Sequence, residues 1–424
     1  MTTNGLQKMY LPLPDRNEFG HGAIAVVDIG APGNAMAEVP ALITDIDLGT
    51  PDRATATGGN TDVVVATSTE SRTVWFIDPR TDTIIDTLPL DRDLGRSHFS
   101  GNSADSADGA FVTGVAIDSS PCSASTPRCA LGSRAILSVW NGFTLVDLAS
   151  RTIVGSIVVP PSENFGFDGV ARRIIAPFYD CGASRDARRQ KLGICANYVT
   201  PDGRVITQGL NIVDLTDGTV YTLQDQTAPE PTMPLGRNPD SAAADPLLQL
   251  IVVASEEDDD VNVLNLAEAT FDRATRTVTA PRKSASVTEV PRLTGVAIEQ
   301  THHYAFLEEE GNRPEDPGNG IAVLKLDDFL AGKASLVVTK MQLPGGQAWR
   351  NMGDPHGVAV STGLDGDRPL GFLVESKRRW VARVDLQTLA SGGPVGLATT
   401  FLDARTKGIT SAPVVRCSSA LAAP

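Results

Sequence analysis

The chain has 424 residues, with 51 acidic against 36 basic side chains and a formal net charge of −15. A surface of that sign repels a nucleic-acid duplex or an anionic membrane and favours cationic ligands. The balance of 41% hydrophobic and 21% charged residues is that of a globular protein, and no apolar run approaches the roughly 18 residues of a membrane helix.

The opening "MTTNGLQKMY" lacks the apolar core of a secretion signal, which leaves either a mature chain or an intracellular protein. Three β-rich runs follow: "QKMYLPLP", "GAIAVVDI" and "ALITDIDL". From there to the C-terminus, short apolar runs ended by turn residues recur and helical periodicity is nearly absent, a pattern that predicts an all-β chain. The one helix expected is a short connector near "LDDFLAGKAS" (Leu326–Ser335).

The runs are ordered. One type closes at Asp28, Asp78, Asp147, Asp214, Asn265, Lys325 and Asp385, a mean period of about 60 residues. An acidic or amide side chain at that point bonds the backbone just ahead and starts the turn out of a strand. A second strand usually follows each of these runs, as in "DTIIDTLPL" and "RTIVGSIVV", and another precedes it, as in "DVVVATS" and "LQLIVVAS". Earlier still stands an inner segment reading x-Gly-Val-Ala, as in "TGVAID", "DGVARR", "TGVAIE" and "HGVAVS". Four short strands repeated about seven times predict a seven-bladed β-propeller, a single domain over 1–424. Residues 1–50 and 404–424 are expected to share the seventh blade, with "TKGITSAPVV" as its inner strand.

Two cysteine pairs sit in polar, loop-like segments. Cys122 and Cys129 bracket "SASTPR", and Cys181 and Cys195 bracket "GASRDARRQKLGI". They predict two local disulfides and an oxidising compartment, periplasmic or extracellular, with Cys417 left as a free thiol.

The unit "VVVATSTESRTVWFIDPRTDTIIDTLPL", together with "DPHGVAVS", resembles the YVTN-type repeat of bacterial β-propellers. That resemblance implies the propeller fold. It leaves function open among surface-layer proteins, periplasmic binding proteins and propeller lactonases or lyases.

Aligning the inner segments places Arg53 (or Asp52), Thr113, Asp168, Asp240, Thr294, His356 and Lys407 at one position, expected to ring the mouth of a central channel. A mixed polar ring suits a small polar or anionic ligand. Asp168, Asp240 and His356 are also candidates to hold a divalent cation such as calcium, which would activate water or polarise a carbonyl. A second metal set would combine His356 with His21 and His98. The basic loop Asp180–Gly209, with Arg185, Arg188, Arg189 and Lys191, is a possible cap. The runs "SEEDDD" and "EEEGNRPEDPGN" read as solvated acidic loops. No P-loop, G-x-G-x-x-G, HExxH or G-x-S-x-G motif is present.

The expected protein is therefore a secreted or periplasmic monomer that binds a ligand or another protein through its loop-rich face and channel. The alternative is a metal-dependent, lactonase-like hydrolase or lyase whose catalytic candidates are His356, Asp168 and Asp240.

Overall fold

The structure is a computed structural model. It describes residues 7–13, 22–30, 41–49, 53–57, 63–67, 73–90, 114–118, 133–139, 142–159, 162, 164–178, 198–199, 205–206, 209–223, 235, 239–255, 260–286, 293–309, 320–333, 336–340, 355–361, 369–375, 380–391, 398–401 and 414–416. Thirty-two strands, numbered β1 to β32 in chain order, are defined among them, with two five-residue helices and one 3-10 turn. The strands form seven sheets of four or more strands and one two-stranded ribbon. The chain resolves into two compact units, residues 1–87 with 297–424, and residues 88–296.

In the first unit, β1 (Gln7–Leu13), β2 (Gly22–Gly30) and β3 (Ala41–Gly49) pair in sequence, and β32 (Val414–Arg416) adds to the free side of β1. The register of that last pair is antiparallel, Lys8 opposite Val415 and Met9 opposite Val414. The next sheet is the meander β4 (Arg53–Thr57), β5 (Val64–Thr67), β6 (Thr73–Asp78) and β7 (Thr83–Pro89). Two further meanders follow the same plan. One is β24 (Leu293–Glu299), β25 (Tyr304–Glu309), β26 (Gly320–Lys325) and β27 (Leu336–Lys340), and the boundary between the units falls inside β24. The other is β28 (Pro355–Ser361), β29 (Leu370–Glu375), β30 (Trp380–Asp385) and β31 (Ala398–Phe401).

In the second unit, β8 (Gly114–Asp118), β9 (Arg134–Val139), β10 (Gly142–Asp147) and β11 (Thr152–Val158) form one meander. Another runs β18 (Pro239–Asp245), β19 (Leu250–Ser255), β20 (Asp260–Asn265) and β23 (Arg282–Ser286). The sheet of β12 (Gly166–Asp168), β13 (Arg173–Phe178), β16 (Gly209–Asp214) and β17 (Thr219–Leu223) has two more strands, β22 (Thr277–Thr279) and β21 (Thr270–Asp272), on its outer edge. The ribbon β14–β15 (Tyr198–Val199, Val205–Ile206) lies within the predicted basic loop.

Middle strands read as unbroken apolar runs because both of their faces are buried. In β6, "TVWFID", the central four residues are buried, whereas the outer strand β7, "TIIDTLP", is almost wholly exposed. The cores lie between consecutive sheets. Tyr10, Ile24 and Val26 of the first sheet meet Val64, Ala66, Trp75 and Ile77 of the second. Phe306, Ile321 and Val323 meet Val358, Leu373 and Val384. In the second unit Ile136, Phe143 and Leu145 pack on Ile174, Ala176 and Val213, while Ile175, Leu210 and Ile212 pack on Ile251, Val253 and Leu264.

The turn-starting residues behave as their spacing predicts. The amides of Arg80, Thr216 and Ala267, two residues on, donate to Asp78, Asp214 and Asn265 at 2.8, 2.8 and 3.0 Å. Those of Ser150 and Thr388, three residues on, donate to Asp147 and Asp385 at 2.7 and 2.8 Å. The expected connector helix is α1 (Leu326–Leu330). A second short helix, α2 (Leu386–Ala390), is capped by Asp385.

Candidate functional site

The first strand of four sheets ends in a buried acid: Asp118, Asp168, Asp245 and Glu299. Three of them hold the hairpin that follows. Asp168 accepts from the amides of Val170 (3.0 Å) and Ala171 (2.9 Å), and Asp245 from those of Leu247 and Leu248 (both 3.0 Å). Glu299 accepts from Thr301 (2.8 Å) and His302 (2.9 Å). Each of these hairpins contains a residue in the left-handed region, Arg172, Gln249 or His303, with φ between 53° and 59°. Asp118 takes two guanidiniums, Arg134 at 3.3 Å and Arg172 at 2.7 Å.

This register separates two of the aligned residues. Asp168 closes β12, so its counterpart in the neighbouring sheet is Asp245. Asp240 stands five residues earlier, as the second residue of β18. The triplet Gly169–Val170–Ala171 matches the inner-strand pattern by type, but it forms the turn, and Val170 is 71% exposed.

The structure brings Asn164 to Asp240, a neighbour the repeat pattern did not single out. The two residues are 7% and 1% exposed, and the Asn164 Nδ2 donates to the Asp240 Oδ2 at 3.1 Å. A parallel bridge joins Asn164 to Ser241, and the Ala242 amide donates to the Asn164 carbonyl at 3.0 Å. Gly166 permits this approach: a Cβ there would lie 2.9 Å from the Ala242 carbonyl oxygen and 3.0 Å from the Ala243 Cα. The side-chain oxygen of Asn164, Oδ1, is buried and has no hydrogen-bond partner among the described residues. A buried carbonyl oxygen left in that state calls for a donor, from water, an ammonium or a metal ion. Next to a carboxylate, the preference is for a donor that carries positive charge. Distance back from the buried acid does not locate Asn164: it stands four residues before Asp168, opposite Ser241, whereas Asp240 stands five before Asp245.

Three other members of the expected ring stand in first strands of their sheets: Arg53 opens β4, and Thr294 and His356 are the second residues of β24 and β28. Asp52, Thr113 and Lys407 lie outside the described residues, as do His21, His98, Cys122, Cys129, Cys181, Cys195, Cys417 and the basic side chains 185–191. Most of both acidic runs lies outside them too. Among the described residues no group of three or more His, Cys, Asp or Glu side chains is placed to hold a metal ion, and no helix is long and apolar enough to cross a membrane.

His302 is a separate polar feature. Its Nδ1 lies 3.0 Å from the Glu299 Oε2, and its ring stacks on Tyr304 with centroids 6.5 Å apart. Burial pushes the Tyr304 phenol above its ordinary pKa, helped by the negative charges of Asp328, Glu299, Asp385 and Asp327.

No protein-family model matches the chain, and no curated protein matches its sequence. Solved structures do resemble it. A hypothetical selenium-binding protein from Sulfolobus tokodaii superposes with a TM-score of 0.59 at 11% identity, over 99% of this chain and 95% of that one. Hydrazine synthase of Kuenenia stuttgartiensis gives 0.52 at 10% identity, over 87% of this chain and 96% of the other. A provisionally named 6-phosphogluconolactonase of Bacteroides fragilis gives 0.51 at 9% identity, over 97% and 98% of the two chains. At such identities the likeness is one of fold. The neighbours are β-propeller-type proteins, and the chain shares their nearly all-β, propeller-like build.

Proposed function

We propose that the chain is a seven-bladed β-propeller of YVTN-like type, one domain fastened by β32 on β1, that works outside the cytoplasm as a binding module. The seven larger sheets and the β1–β32 pairing support the ring. The ligand is a small polar molecule presenting a cationic N–H donor, such as a primary amine, to Asn164 and Asp240. The observation that carries this is the buried Asn164 Oδ1, an acceptor with no donor among the described residues, beside the Asp240 carboxylate. An anionic ligand does not suit that pair, because the carboxylate repels it. The hydrolase alternative rests on the YVTN-type resemblance, on the candidates Asp168, Asp240 and His356, and on one neighbour's name.

Thermal-shift and calorimetric titration with a panel of small amines, and with carboxylates as controls, tests the reading. Amines should stabilise the wild type, and Asp240→Asn should weaken them about 10- to 100-fold, the worth of a hydrogen bond to a charged group. Equal binding by wild type and variant would sink it. The extracytoplasmic placement rests on the two local cysteine pairs. Thiol counting on the denatured, unreduced protein should find one free thiol, Cys417, and a count of five removes the argument.

A further inference from the structure

The hairpin β21–β22 leaves its own sheet to serve another. In sequence it lies between β20 and β23, which pair with each other from Asp260–Ser286 to Leu264–Arg282. A 3-10 turn at Leu266–Glu268, capped by Asn265, carries the chain away, and β22 then lies parallel to β17. The pairs there are Thr222 with Thr277 and Leu223 with Val278, and the Thr222 amide donates to the Arg276 carbonyl at 3.0 Å.

Side chains fasten the hairpin as well. Val278 is fully buried in the core that holds Leu223 and Tyr221. The Phe271 ring meets Tyr221 edge-on at 5.1 Å, and the Arg173 guanidinium sits 4.3 Å over the same ring. Arg273 pairs with Asp217 at 2.6 Å. The hairpin turn is held by Asp272, which accepts from Ala274 (2.8 Å) and Thr275 (3.2 Å). The result shows in burial. Tyr221, Thr222 and Leu223 of β17 are buried, while the outer strands β7 and β11 are mostly exposed.

We infer that β21–β22 is a clasp that occupies, within one chain, the hydrogen-bonding edge of β17, and that a second copy of this chain is what the clasp keeps off. A bare edge strand with buried-type side chains is a template for pairing with another strand. The nearest identical strand is the β17 of another molecule, and two such edges would pair about a two-fold axis. The clasp also ties two consecutive sheets of the unit by a route independent of their shared core. The inference stands apart from the ligand reading, since none of its residues is Asn164 or Asp240.

Two variants test it: Phe271→Ala, and replacement of residues 270–279 by a short Gly-Ser link. Hydrogen exchange at the Thr222 amide is compared with that at Val213 in the interior of the same sheet, and mass is followed by light scattering against concentration. Exchange at Thr222 should rise at least tenfold in the deletion and several-fold in Phe271→Ala, with Val213 unchanged, and a dimer absent from wild type should appear. Unchanged exchange at Thr222 overturns the inference, and so does a deprotected Thr222 in a protein that stays monomeric. If the deletion variant does not fold, Phe271→Ala decides by the same two readouts.

Discussion

The side chains that end the first strands carry more of the architecture than their polarity suggests. Asp118 is 1% exposed and faces Arg134, which is 2% exposed, together with Arg172. Arg172 belongs to the hairpin after β12, so one carboxylate bridges two sheets of the second unit. Removing one partner of such a set strands buried charge. Asp118→Asn should therefore cost about 3–5 kcal/mol, read as a lower urea midpoint with an unchanged slope. Exposed or half-exposed carboxylates act through pH instead. For Asp78, burial pushes the pKa up, but the Arg80 amide and guanidinium and the charges of Arg80 and Lys8 outweigh it and hold the group below its ordinary value. Asp272 is lowered by the Thr275 amide and hydroxyl and the Ala274 amide, and Asp328 by Lys333 and Lys325. A depressed pKa means the unfolded chain binds the proton more readily. The stability these groups supply is complete above the unfolded value of about 3.9 and is lost as pH falls through the folded one. The urea midpoint should be insensitive to them between pH 7 and 5 and should fall below about pH 4, less steeply in Asp78→Asn. The same residue scale marks where reading the sequence stopped. Gly169–Val170–Ala171 has the composition of an inner strand, and only the bonds from Val170 and Ala171 to Asp168 reveal a turn. Of the four Gly-Val-Ala triplets it alone follows an acid, Asp168; the others follow Thr113, Thr294 and His356.

Elements were legible where the physics is local. Seven strand ends predicted from the recurring Asp, Asn and Lys positions fall within or at the ends of β2, β6, β10, β16, β20, β26 and β30, because an acid that caps its own turn needs no distant partner. The helix α2 was not anticipated although the equally short α1 was: five residues are too few for helical periodicity to decide either way. The hairpin β21–β22 escaped for a similar reason: its strands are three residues long, and its partner β17 lies about 50 residues away in sequence. The approach of β12 to β18 is of this second, non-local kind and yields a prediction. The Cβ of Gly166→Ala would press on backbone, the Ala242 carbonyl oxygen at 2.9 Å and the Ala243 Cα at 3.0 Å, and backbone in a paired strand cannot swing aside. The change should cost about 1–3 kcal/mol, the usual penalty of overpacking. It should also part Asn164 from Asp240, two residues from the substitution, so amine binding should weaken together with the melting temperature. Gly371→Ala makes a useful comparison. Its Cβ would meet side chains, Leu386 and Phe306 at 2.9 Å, which can shift. It should lower stability and leave amine binding untouched.

At the scale of the whole molecule, the repeat predicts that the two ends of the chain belong to one sheet, and β32 does pair with β1. The edge strand beside β1 is thus supplied from more than 400 residues away. Beside it, Lys8 and Tyr10 reach the turn after β6. The Lys8 Nζ donates to the Pro79 carbonyl at 3.1 Å and to Asp82 at 2.7 Å, and the Tyr10 hydroxyl donates to Asp82 at 2.7 Å. Those bonds hold β1 against the β4–β7 sheet whether or not β32 is present. Two roles for β32 can then be told apart. If it only lengthens one sheet, removing residues 412–424 should bare the amides of Gln7–Met9 and do little else. If it fastens a closed ring, the first sheet loses its inner strand, each remaining blade loses a fixed neighbour in turn, and the damage spreads. Three lost strand pairs and their packing amount to a few kcal/mol, which for a chain of this size is a fall of about 5 °C in melting temperature. Under the ring reading, calorimetry of the truncated protein should show that fall with a broadened or split transition, and hydrogen exchange should rise beyond β1 and β2. A single sharp transition, with faster exchange confined to Gln7–Met9, would leave β32 as an accessory strand and take away the main support for closure.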